Sequence, residues 1–230
     1  MGALAGCQES GFDESRETQR PLKVQHPLNE LEGTKVPGMA ERPMTLTADA
    51  LGDTLALGVK PVRAAVPGAR LPAYMRSEAA GVEVVAPLTE LDLAATDALE
   101  PDLILGAKET DEELYEDLSR IAPTVMTEGT NWKLNLRLHG EALGRTNDAE
   151  RLLIDWDDRV ARAREAIGDG AVTVPRGAQK SELVRQLLAD LGIDPDGEQV
   201  RAVDGRVGPE WSYGGVLAAR AVLGQIVSSR

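Results

Sequence analysis

The sequence predicts an α/β fold built on parallel strands. Two observations carry that reading. Apolar runs too short for helices alternate with apolar residues at helical spacing, and one stretch, residues 99–125, spells out a complete strand, loop and helix. In that stretch Leu103-Ile104-Leu105 is the strand and Gly106 ends it. Glu109, Asp111, Glu112 and Glu113 then fall where a helix N-terminus favours negative charge. Leu114, Leu118 and Ile121 recur at helical spacing until Pro123 stops the helix. The loop lies at the carboxyl end of its strand, the place where open α/β sheets bind ligands.

The other elements follow in order. Residues 8–20 are polar and aperiodic, a tether. Lys23-Val24-Gln25 and Thr34-Lys35-Val36 can pair as a hairpin, with His26 at the surface because nothing beside it could share a metal. Strands are expected at Pro43–Thr47, within residues 59–66, and at Gly81–Val85; helices at Ala50–Leu57 and Leu88–Leu99. The polar loop of residues 67–77 follows the second of these strands. Asn131–Leu143 reads as a helix. Asn147, with Glu150 three residues on, reads as the capping box of a further helix over Asp148–Ile167. Leu152, Leu153, Trp156, Val160, Ala163 and Ile167 keep its apolar rhythm, and its length of about 30 Å suits either a joint between lobes or a core helix. A strand at Ala171–Val174 and a helix at Glu182–Leu191, closed by Gly192, complete the pattern. Strands and helices alternating this way wind right-handed around a parallel sheet.

Composition narrows the function. With 230 residues, 42% of them hydrophobic, the chain can build one large domain or two small lobes. A net charge of −13 repels nucleic acid and anionic membrane. Two His and one Cys supply neither an internal disulfide nor a transition-metal centre of the usual kind, so any iron must arrive already chelated. No apolar run reaches the ~18–20 residues needed to span a bilayer. The sequence contains no phosphate-binding Gly loop, no G-x-S-x-G elbow and no H-E-x-x-H, and the Asp157-Asp158 pair reads as a solvated face. Binding, not catalysis, is therefore expected. Residues 4–7, LAGC, match the motif after which a lipoprotein signal is cut and its Cys acylated. The six residues before Cys7 are too few for a basic segment and an apolar core of ~7–15 residues, so Cys7 is either the anchor of a signal cut short or an ordinary residue.

Several segments carry a resemblance. LEPDLILG with Y-x-x-L-S-x-IAPTV, ALGDTLALGVKPV, LLADLGI and the closing AVDGRVGPEWSYGGVLAARAVLGQIV resemble the periplasmic or lipoprotein solute-binding proteins that deliver ferric siderophores, cobalamin or haem to ABC importers. The resemblance implies two parallel-sheet lobes joined by a long interlobe helix, the second lobe truncated. It divides the chain into a lipobox, tether and hairpin (1–37), an N-terminal lobe (38–130), a junction with the interlobe helix (131–168) and a shortened C-terminal lobe (169–230). The last comprises 62 residues, roughly half of what the family uses. The resemblance also implies a ferric siderophore as ligand, no cofactor and a monomer that meets an ABC permease. It favours Cys7 as a lipid anchor at the outer face of the cytoplasmic membrane. Where the family places a permease-docking Glu this chain has Ala94, with Glu90 and Asp92 one turn earlier.

The expected site is a cleft walled by loops that follow strands. Tyr74, Arg76 and Lys108 come from the first lobe, Trp132 from the junction, and Arg176, Trp211 and Tyr213 from the second. Arg offers planar charge-assisted donors to the oxygens of a ferric chelate, and Trp and Tyr offer rigid apolar faces. Some also have a plain structural alternative: loop anchoring for Tyr74, surface charge for Arg76, a solvent-facing place beside its helix for Lys108, and core packing for Trp132; the resemblance favours Arg176, as an Arg after that strand, and Trp211, as the Trp of that turn. Trp156 reads as core and His139 as a helix-face residue. The alternative functions are a protein that keeps the fold without delivering ligand, and a cytoplasmic α/β enzyme.

Overall fold

The computed structural model describes residues 20–86, 93–204, 211 and 214–228. The expectations placed on Cys7, Glu90, Asp92 and Tyr213 lie outside the described residues. The chain opens with an antiparallel hairpin, β1 (Leu22–His26) and β2 (Asn29–Val36), as the sequence suggests. His26, expected at the surface, is only 3% exposed. Its Nε2 lies 2.9 Å from the Thr34 hydroxyl, its Nδ1 faces the Met126 amide at 3.4 Å, and its ring meets Tyr115 edge-on. The partner that buries it is a strand 100 residues away.

The main sheet contains β3 (Pro43–Thr45), β4 (Arg63–Ala65), β5 (Glu83–Val85), β6 (Leu103–Ala107) and β7 (Thr124–Thr127). All its pairings are parallel, in the order β5-β4-β3-β6-β7. The chain therefore winds one way from β3, then returns and winds the other way through β6, leaving a topological switch between β3 and β6. Burial on both faces explains the uninterrupted apolar run in β6. Leu103 and Leu105 enter one core cluster and Ile104 another, as the two-residue period of a strand demands.

Helices α1 (Ala48–Ala56), α2 (Leu93–Asp97), α3 (Lys108–Asp111) and α4 (Tyr115–Ile121) connect these strands. Thr47 caps α1 by accepting from the Ala50 amide at 3.1 Å. Helix α5 (Trp132–Ala142) is capped by Asn131, which accepts from the Leu134 amide. Helix α6 (Thr146–Ile167) starts after Arg145, without a side-chain cap, so the expected Asn147 capping box is replaced. The turn is instead set by packing: the Arg145 amide donates to the Gly140 carbonyl, and a Cβ on Gly140 would come within 2.6 Å of the Ala149 side chain. Glu150 serves α5 by accepting from Arg137 at 2.8 Å.

Beyond α6 come β8 (Val172–Pro175), α7 (Glu182–Asp190), β9 (Val200–Val203) and α8 (Gly215–Ser228). β8 and β9 pair in parallel as a sheet of two strands. One core cluster runs from the hairpin (Val24, Val36) through the sheet (Leu105, Val125), α5 and α6 to β8 (Val174), α7 (Leu187) and α8 (Val222). Within it Trp132 and Trp156 pack edge to face with centroids 5.1 Å apart. The Trp156 indole N–H donates to the Asp190 carboxylate at 2.9 Å, and Lys133 reaches the same carboxylate at 2.8 Å. Three helices, α5, α6 and α7, are thus tied at one side chain.

Candidate functional site

Because every strand of the main sheet is parallel, all its carboxyl ends lie along one edge. That edge receives the N-terminus of α1 after β3, the loop of residues 66–77 after β4, Lys108 after β6 and the approach to Trp132 after β7. It is the edge where a sheet with a switch between β3 and β6 presents its crevice.

The loop after β4 places Tyr74 half-buried, packed against apolar residues of two core clusters, while Arg76 is exposed and donates to the Leu71 carbonyl at 3.3 Å. Lys108 pairs with Glu128 at 2.6 Å, and that hydrogen bond is the main reason its pKa lies above the usual lysine value. Lys108 lines an open hollow of about 440 Å³ with Glu109, Thr110, Glu112, Glu113 and Glu128. Its wall is mostly carboxylate. Arg176 follows β8, is 66% exposed on its side chain and donates to Asp204 at 2.8 Å. Trp132 and Trp211 are 1% and 3% exposed, so both rings are packed in the core. Arg76 and Lys108 thus follow strands of the main sheet and Arg176 follows β8 of the small one, each with surface to offer, while the two Trp rings lie in the core. Among the described residues, no group of His, Cys, Asp or Glu is arranged to hold a metal ion, and no helix is long and apolar enough to cross a membrane.

Sequence reasoning missed three residues at this edge. Asp49 and Asp53, one turn apart on α1, both face α8. Asp49 accepts from the Gly214 amide at 2.7 Å and Asp53 from the Val216 amide at 2.9 Å. The other oxygen of Asp53 lies 2.9 Å from His139 Nδ1, and both side chains are inaccessible to water. His139, expected on a helix face, is therefore a buried partner of a carboxylate. Burial, followed by the neighbouring Asp53 charge, pushes the Asp49 carboxyl up to about 6. The available signal was two acids one turn apart on a short helix whose other residues are almost all apolar or small, leaving no polar face for them, where an acid needs a partner. The burial of Asp111 was also missed: expected as an acid at a helix N-terminus, it is buried, accepts from the Ala107 amide at 2.9 Å, and is pushed by burial to about 6.

The geometry has relatives. A family model described as periplasmic binding protein matches residues 44–183. A Bacillus subtilis protein named "Probable siderophore-binding lipoprotein YfiY" is 32% identical over 172 residues, covering 72% of this chain and 52% of that one. The achromobactin-binding periplasmic protein of Dickeya dadantii is 33% identical over 132 residues, covering 56% of this chain and 43% of that one. The chain spans about half the length of the curated relatives it matches. Among solved structures, Staphylococcus aureus SirA superposes with a TM-score of 0.58 at 29% identity, over 69% of this chain and 64% of that one. The SirA complex with staphyloferrin B gives a TM-score of 0.65 at 23% identity, over 92% and 84%, a likeness of fold. The relatives are binding proteins rather than enzymes. With more than half of its length matched by that model, this chain belongs to the periplasmic binding protein family.

Proposed function

We propose that the chain captures a ferric siderophore for an ABC importer and performs no reaction on it. The carrying observation is the 32% identity over 172 residues to a protein named as siderophore-binding, supported by a parallel sheet with a switch between β3 and β6, after whose strands β4 and β6 come Arg76 and Lys108. In this proposal residues 38–130 and 169–230 supply the two walls, α6 is their joint, and Cys7 is a lipid anchor holding a monomer outside the cytoplasmic membrane. Tyr74, Arg76, Lys108 and Arg176 touch the chelate, with Tyr213 among the same set. Trp132 and Trp211 stiffen the walls from below. Lys108 and Arg176 are already ion-paired, so an anionic chelate must compete with Glu128 and Asp204 for them.

The test is a titration of intrinsic fluorescence, checked by calorimetry, with ferric hydroxamate, catecholate and citrate chelates. Saturable binding of one class at micromolar concentration or tighter is expected. Arg176→Ala should weaken it about tenfold, the loss of one charge-assisted hydrogen bond. A second reading, a protein that keeps the fold without delivering ligand, is favoured by the buried Trp rings and the paired cations. Flat titrations across all three classes, from a folded sample, would establish it.

A further inference from the structure

We propose that Asp49, Asp53 and His139 form a latch that holds the start of α8 against α1 and so fixes where Trp211 packs, making them positioning residues for the binding site. This rests on the function proposed above for its consequence, though not for its geometry. Helix α1 begins where β3 ends, beside the switch point, so its two carboxylates lie in the first turns after that strand. They grip the two backbone amides that start α8, at 2.7 and 2.9 Å. Those amides belong to the first turn of a helix, where N–H groups lack helical partners and the dipole favours negative charge.

The sequence fits the grip closely. A Cβ on Gly214 would come within 2.6 Å of the Asp49 carboxylate. Gly215 has φ +81, and a Cβ there would come within 3.0 Å of Asp53. Both glycines are therefore required for the backbone to approach the acids. Trp211, three residues before Gly214, is packed in the core that α5 and α8 share. The latch is thus a hydrogen-bonded tie between α1 and the start of α8, two elements that also pack on each other.

The groups facing Asp49 are Asp53 on its own helix, His139 from α5 and the Gly214 amide from α8. Tyr74 stands in the turn packed on α8, and Arg220 of α8 is turned away to Asp155 of α6. Asp49 sits at about 6 when folded and near 3.8 when free, so the folded form holds the extra proton. Its stabilising effect is complete below about pH 4 and is lost as pH rises through about 6. The Gly214 amide, by contrast, favours the ionised carboxyl, so protonation below about 6 should loosen the hold on the start of α8 even while it adds to overall stability.

The experiment is fluorine NMR of the full chain carrying 5-fluorotryptophan, with the Trp211 resonance assigned by Trp211→Phe. Across about pH 5 to 7.5 the Trp211 resonance should move with a midpoint near 6, and the movement should vanish in Asp49→Asn. Asn keeps an acceptor for the Gly214 amide, so a folded variant is expected. Gly214→Ala, read by acrylamide quenching and by the same resonance, should expose Trp211 at every pH. A flat Trp211 resonance in the wild type overturns the latch. So does a titration that survives Asp49→Asn and disappears in His139→Gln, or a Gly214→Ala variant with unchanged quenching. None of these readouts needs a chelate, so a failure of siderophore binding leaves the latch separately testable. Where a chelate binds, its affinity should follow the same midpoint in the wild type and lose that dependence in Asp49→Asn.

Discussion

The five-stranded sheet and the β8–β9 pair are both parallel, yet they are stabilised in opposite ways. In the large sheet, β6 and β7 lie among strands and helices on both faces, and Leu103, Ile104, Leu105, Val125 and Met126 are inaccessible to water. In the small pair, β8 buries alternate residues and β9 buries none completely. Parallel sheets rely on covered faces, and two strands seldom persist alone. What holds β8 is the shared core of α6, α7 and α8, with α8 packed on both β8 and α1. The difference teaches that the carboxyl-terminal region borrows its stability from the first.

The strongest way to break that comparison is a matched pair of cavities. Leu105→Ala in β6 and Leu187→Ala in α7 both empty fully buried sites. Each should cost about 2–5 kcal/mol in urea denaturation, and both should shift one common transition. Two separated transitions after Leu187→Ala, with the first region unmoved, would show that the regions stand independently.

Asp190→Ala should come next. It strips the acceptor from the Trp156 indole N–H and the partner from Lys133, at the point where α5, α6 and α7 meet. A loss of about 1–3 kcal/mol is expected in the same denaturation.

A pH titration of stability sharpens the picture inside the first region. Asp111 has a folded value of about 6 against 3.8 free, so its contribution is present below about pH 4 and lost as pH rises through about 6. Asp111→Asn should remove that slope, a change on the order of 1 kcal/mol between pH 4 and pH 7 in thermal melts. The smallest effect belongs to Arg137→Ala. It breaks a half-exposed ion pair with Glu150 and should change stability by less than about 0.5 kcal/mol.

Much of the fold was legible because strands and helices declare themselves locally. The hairpin, the Leu103–Ala107 strand, the helix ending before Pro123 and the long α6 all follow from period and punctuation. The helix caps were legible only in part: Asn131 caps α5 as a polar residue before an apolar repeat should, while α6 starts where Gly140 and Ala149 press together. The candidate site was less legible still. Lys108 and Arg176 fall after strands as expected, but their carboxylate partners, 20 and 28 residues away, carry no local mark. Trp132 and Trp211 look alike as aromatic residues near loops whether they face a ligand or the core.

By itself the sequence determined the α/β class, the parallel winding, the family and the absence of the familiar catalytic motifs, since each is written in short-range spacing and composition. Only the tertiary structure decided which polar residues are buried. His26, Asp53 and His139 look like surface residues one by one, and each is enclosed by a partner that the chain brings back from elsewhere; Asp111 is buried on a nearby amide, and Asp49 is partly covered by the start of α8. The physical reason is that a buried charge is tolerable only with its hydrogen-bond partner in place, and most of those partners are supplied by folding.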